Sequence, residues 1–111
     1  MKNMYVYKWI IQRVTALILI PLSFWFIYSC ISFRYFSFLE LSIFFKSYLN
    51  SFLFLVLMTA MLTHAKLGCD TIIQDYISTS YLKKICKSSI NIITFFSLFF
   101  VIVALVRLNI Y

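Results

Sequence analysis

The sequence predicts an all-α membrane protein with three transmembrane helices and its N-terminus on the matrix or cytoplasmic side. Three observations carry that expectation. The composition is 64% hydrophobic and 12% charged, against about half apolar and a quarter charged in a water-soluble domain. Three runs without a formal charge, Val14 to Phe33, Ser47 to Ala65 and Ser88 to Val106, hold 20, 19 and 19 residues. At ~1.5 Å per helical residue each spans the ~30 Å hydrocarbon core of a bilayer. Lysine and arginine bracket these runs unequally. Lys2, Lys8 and Arg13 precede the first run and Lys66, Lys83, Lys84 and Lys87 lie between the second and third, whereas the opposite side has Arg34, Lys46 and Arg107. Seven against three sets the orientation.

The 111 residues make one membrane domain, 1–111. Residues 1–13 read as a basic, aromatic arm lying at the headgroups, where Tyr5, Tyr7 and Trp9 are at home. The first span, 14–33, contains Pro21, which a membrane helix tolerates at the cost of a kink. Residues 34–46 form a short connector rich in Phe and Tyr, with Glu40 among them. The second span, 47–65, ends at the single histidine and has room to continue to residue 76. Only Gly68 interrupts the helix-forming residues there, and Lys66 and Asp70 at i, i+4 are placed to pair. A basic connector, 78–87, leads to the third span, 88–106. Three spans put the two ends of the chain on opposite sides.

The net charge of +7 does not indicate nucleic acid, because the basic residues bracket apolar runs instead of forming one patch. They serve topology, and Lys83, Lys84 and Lys87 also suit anionic lipid or a partner's acidic face. The opening is unlike a signal peptide: its apolar run is too long and no small-residue cleavage site follows. Cys30, Cys69 and Cys86 lack metal-site or CxxC spacing and read as free thiols. No nucleophile with its base, phosphate-binding glycine loop or zinc-protease helix is present, so a self-contained enzyme is not expected. Phe, Tyr, Met, Ile, Asn and Lys far outnumber Gly, Ala, Arg and Pro. That bias marks an AT-rich gene and suits the mitochondrial inner membrane, with an organelle-encoded chain, or a bacterial inner membrane.

Polar chemistry gathers on the stretch from His64 to Tyr76. On a helix, Gly68 lies ~40°, Thr71 ~20° and Asp75 ~20° from His64, and Ala60 adds a small residue to the same stripe. Such a face suits a flat ligand or a close helix. An ionisable side chain at the membrane boundary is a functional candidate, and imidazole is a common haem ligand. The spacing leaves a second reading open, an interfacial histidine bonded to a neighbour. If His64 binds haem, a second histidine must come from another subunit, with Met58 and Met61 as weak internal candidates. Asp75 and Tyr76 lie ~16 to 18 Å further along. A phenol donates to a carbonyl and a neighbouring carboxylate orients it or relays protons; a solvated helix end with an interfacial tyrosine is the plainer alternative. Arg13 is open between an anchor at the helix end and a partner for a carboxylate or propionate.

His64, Gly68 and Asp75-Tyr76, together with Arg13-Val14-Thr15-Ala16 at the mouth of the first span, resemble the small membrane-anchor subunit of succinate dehydrogenase, respiratory complex II. The resemblance covers essentially the whole chain. It implies a non-catalytic anchor of an oxidoreductase complex, with His64 as an axial ligand of a haem b shared with the larger anchor subunit. It implies Tyr76 and Asp75 at the ubiquinone site and Arg13 in the haem and quinone region. Electrons from succinate would arrive through flavoprotein and iron-sulfur subunits and leave on ubiquinone, linking the tricarboxylic acid cycle to the respiratory chain. Lys66 and Asp70 depart from the apolar or aromatic residues expected within the motif. A fumarate reductase anchor and a small pore-forming, holin-like protein are the competing readings. A pore calls for a polar stripe along its spans, whereas here polarity is concentrated at one end of the second.

Overall fold

The computed structural model describes residues 2–110 and the side chains of residues 3–110. Four helices follow in order: α1 (Lys2–Phe33), α2 (Phe38–Lys46), α3 (Tyr48–Tyr76) and α4 (Ser80–Ile110). α1, α3 and α4 are long and apolar enough to cross a membrane. At 32, 29 and 31 residues they run ~44 to 48 Å, longer than the hydrocarbon core. They form a rod 50 Å long and 25 by 22 Å across.

Two expectations are corrected. Residues 2–13 are not a separate arm: they continue α1 as one helix. Neither proline nor glycine interrupts residues 2–13, and Arg13 lies over the ring of Trp9 one turn earlier, its guanidinium carbon 5.3 Å from the centroid. The basic connector at 78–87 is largely helical as well. α4 begins at Ser80, because its lysines are good helix formers, and only residues 77–79 separate it from α3.

The connector at 34–46 contains a third departure, the nine-residue α2. Ser37 caps it by accepting the Glu40 amide at 3.3 Å, and Glu40 in its first turn and Lys46 in its last oppose the helix dipole. Its final carbonyls would be orphaned in a short helix. The first turn of α3 supplies their donors: Asn50 Nδ2 donates to Phe44 O at 3.1 Å and the Ser51 hydroxyl to Phe45 O. A chain of rings fastens this end, with Phe33, Phe44, Phe45 and Phe54 in edge contacts of 4.8 to 5.2 Å between centroids and Phe26 5.9 Å from Phe54.

α3 is the central element and packs on both α1 and α4. Its register against α1 is antiparallel: Phe26 meets Phe54 at the ring-lined end, Thr15 meets His64 and Gln12 comes to Gly68 at the other. The core is thin, consisting of Phe45, Leu57, Ala60, Ile73 and Leu105 with the small polar residues Thr15, Ser29 and Ser42. Phe24, Phe95, Phe99 and Phe100 are exposed along the spans, as residues facing lipid or a membrane partner are.

Candidate functional site

The site is built at the half of the bundle remote from the rings. Ala60, buried, and Gly68 flank His64 by one turn on either side along α3, and α1 packs against this stretch. Thr15 stands opposite, only 7% exposed. Its Oγ1 lies 3.0 Å from His64 Nδ1, and also 2.8 Å from the Ile11 carbonyl and 3.0 Å from the Gln12 carbonyl of its own helix. The imidazole is half-buried, and its Nε2 makes no hydrogen bond among the described residues.

Of the two uses the small-residue stripe suits, the structure shows the close helix. A Cβ built on Gly68 meets only Gln12 Nε2, at an ordinary 3.7 Å, so nothing within this chain demands glycine there. Gln12 Oε1 is buried without a partner. Beside it opens a cleft of about 480 Å³ between α1, the end of α3 and the start of α4. Lys8 and Trp9 line it from α1, Asp70, Gln74 and Asp75 from α3, and Lys87 from α4. Lys87 Nζ donates to Gln74 Oε1 at 3.3 Å across its mouth.

The four residues singled out in the sequence do not converge. His64 pairs with α1 through Thr15. Asp75 is exposed and lines the cleft. Tyr76, the last residue of α3, is 83% exposed and is not among the cleft's lining residues. Arg13 is exposed and stacked on Trp9; its position lies ~200° around α1 from Thr15, away from the contact with His64. Met58 and Met61 belong to the same helix as His64 and fall within two turns of it, so neither reaches the opposite face of a flat ligand held by that imidazole. Lys66 and Asp70 are half-buried. The three cysteines are free, and among the described residues no group of three or more His, Cys, Asp or Glu side chains could hold a metal ion.

The sequence marked Thr15 only as a member of the Arg13-Val14-Thr15-Ala16 motif, with no role of its own, and did not mark Gln12. The available signal was their spacing: at i and i+3 they share one face of α1, Gln12 just before the first uncharged run and Thr15 just inside it. Their partners are 49 residues and more away, a pairing no local pattern prints.

Three apolar spans, an apolar exterior and a part-buried polar contact between two of the spans define an integral-membrane protein. The family described as the succinate dehydrogenase/fumarate reductase transmembrane subunit matches residues 2–104, and the chain belongs to that family. It is thus a membrane-embedded subunit that works with the other subunits of such a complex. No curated protein and no solved structure matches it.

Proposed function

We propose that this chain is the small membrane anchor of a succinate:ubiquinone oxidoreductase, with His64 an axial ligand of a haem b and Tyr76 and Asp75 its contribution to the ubiquinone site. The observation that carries the reading is His64 itself. It is the one imidazole of the chain, fixed through Nδ1 to Thr15 on the neighbouring span with Nε2 left without a hydrogen bond among the described residues. A ring held by one nitrogen and free at the other is what a metal-ligating histidine requires. The donor set therefore fits a haem whose second ligand comes from the larger anchor subunit. Haem, when bound, supplies a one-electron carrier within the membrane.

The rest of the site is completed from outside. Tyr76 is exposed at the end of α3, which supports its phenol as the donor to a quinone carbonyl held between this chain and its neighbours. Asp75, next to it at the edge of the cleft, offers a carboxylate that orients the phenol or relays protons to that carbonyl. Arg13, exposed on α1, offers a cation to carboxylate or propionate groups. The excess of lysine and arginine at this end supports its placement on the matrix or cytoplasmic face, where iron-sulfur and flavoprotein subunits would dock. Membership of the family removes the pore-forming alternative. The family name spans both succinate dehydrogenase and fumarate reductase, and succinate oxidation is the direction we propose.

The test is a reduced-minus-oxidised absorption spectrum of the complex that co-purifies with this chain, wild type beside His64→Ala. Expected is a b-type band in the wild type, lost or shifted in the variant. An identical band in both would remove His64 as a ligand.

A further inference from the structure

We infer that Thr15 is the positioning residue for His64: it accepts the Nδ1 proton and so fixes the imidazole tautomer that leaves Nε2 with a free lone pair. The inference rests on the reading of His64 as a ligand and goes beyond it in naming what prepares that ligand.

The argument is a count of hydrogens. A threonine hydroxyl has one proton to give and two lone pairs to receive with. Three groups surround Thr15 Oγ1: the carbonyls of Ile11 and Gln12 at 2.8 and 3.0 Å, and His64 Nδ1 at 3.0 Å. Carbonyl oxygens only accept. If the hydroxyl proton pointed at Nδ1, two carbonyl oxygens would press on a hydroxyl oxygen with no hydrogen between them. With the proton shared by the carbonyls, as helical threonines commonly arrange it, the hydroxyl can only receive from the ring. The imidazole proton is then on Nδ1 and the lone pair on Nε2, the nitrogen without a hydrogen bond among the described residues.

Position reinforces this assignment. Thr15 is nearly buried, so water does not readily take its place as acceptor. Its hydroxyl is held from below by its own helix, so the ring it receives from is oriented as well as protonated. Ala60, buried one turn before His64 on the same stripe of α3, adds no bulk beside the contact.

The experiment uses the assembled complex with Thr15→Val, which keeps the shape and removes the hydroxyl, and Thr15→Ser, which keeps the hydroxyl and removes the methyl. His64→Ala is the control. Haem retained per complex through detergent washing and the low-spin ferric EPR line are the readouts. Expected for Thr15→Val is a displaced or broadened line and haem held about 10- to 100-fold more weakly, the usual loss for an outer-shell partner of a ligand; Thr15→Ser restores both. If His64→Ala alters the haem and Thr15→Val leaves the line and retention at wild-type values, the inference fails and the ligand reading stands. If His64→Ala changes nothing, the ligand reading fails first. If Thr15→Val does not assemble, Thr15→Ser decides: assembly with a wild-type line supports the hydroxyl's role, and failure of Thr15→Ser as well assigns the position to methyl packing and overturns the inference.

Discussion

Tyr76 closes α3 with its ring 83% exposed, and no hydrogen bond within the described chain uses its phenol. Its contribution must therefore be read against a partner outside the chain. Loss of one neutral hydrogen bond costs about 0.5–1.5 kcal/mol, which converts to a roughly 2- to 10-fold change in an equilibrium. Tyr76→Phe should accordingly raise the apparent KM for ubiquinone by a factor in that range or depress kcat. The haem spectrum should stay as it is, since the two groups lie ~18 Å apart along α3. Steady-state quinone reduction at several quinone concentrations checks this, and unchanged kinetics would remove Tyr76 from the site. His64, Asp75 and Tyr76 were visible in the sequence because ionisable or amphipathic residues stand out in an apolar chain. Gln12 was not, and Thr15 was marked only as a member of the Arg13-Val14-Thr15-Ala16 motif, because a threonine or glutamine near a membrane boundary is unremarkable until its partner is known. The contact that orients the imidazole joins residues 49 apart, and only the packing of α1 on α3 brings them together.

On the scale of the helix, Gly68 presents a contradiction that the chain alone does not resolve. Glycine in a helix interior is about 0.8–1.0 kcal/mol worse than alanine, and a Cβ at this position meets only the flexible end of Gln12, at 3.7 Å. Within this subunit alanine would serve better. If the glycine exists to leave room for something another subunit helps to hold, Gly68→Ala should keep the helices intact and lower the haem content of the purified complex. Circular dichroism and the haem-to-protein ratio measure the two halves of that statement. A wild-type ratio in the alanine variant would reduce Gly68 to helix packing. Element boundaries were the less legible part of the fold. The three spans follow from uncharged length, but charge does not end a helix. Lys8 and Arg13 lie inside α1 and Lys83, Lys84 and Lys87 inside α4, because backbone hydrogen bonding continues wherever neither proline nor a turn residue stops it. α2 went unseen for a different reason: nine residues are too few for a period to show, and its Ser37 cap and Glu40 were the only local signs.

Across the whole molecule, the distribution of apolar surface and charge says where its partners lie. Few large side chains are buried, while phenylalanines along the spans are exposed, so lipid and neighbouring subunits must cover most of the apolar surface that a water-soluble protein of this length would bury. In lipid there is little hydrophobic drive between helices, and packing and polar contacts hold them together; the Thr15–His64 contact and the ring cluster at the opposite end then act as two fastenings of α1 to α3. Charge is distributed unequally between the two ends of the rod. Lys8, Arg13, Lys66, Lys83, Lys84 and Lys87 surround the end that holds Asp75 and Tyr76, whereas Arg34, Lys46 and Arg107 mark the end where α2 lies. In the orientation we propose from the positive-inside rule, the turn between α3 and α4 lies on the matrix or cytoplasmic face and the turn before α2 on the other. In a chain with Cys30, Cys69 and Cys86 replaced by serine, Ser78→Cys should react with a membrane-impermeant maleimide only from the cytoplasmic or matrix side, and Ser37→Cys only from the opposite side. The reversed pattern would put Tyr76 away from the face where we propose that soluble subunits dock, and with it would go the quinone site proposed at this end of α3.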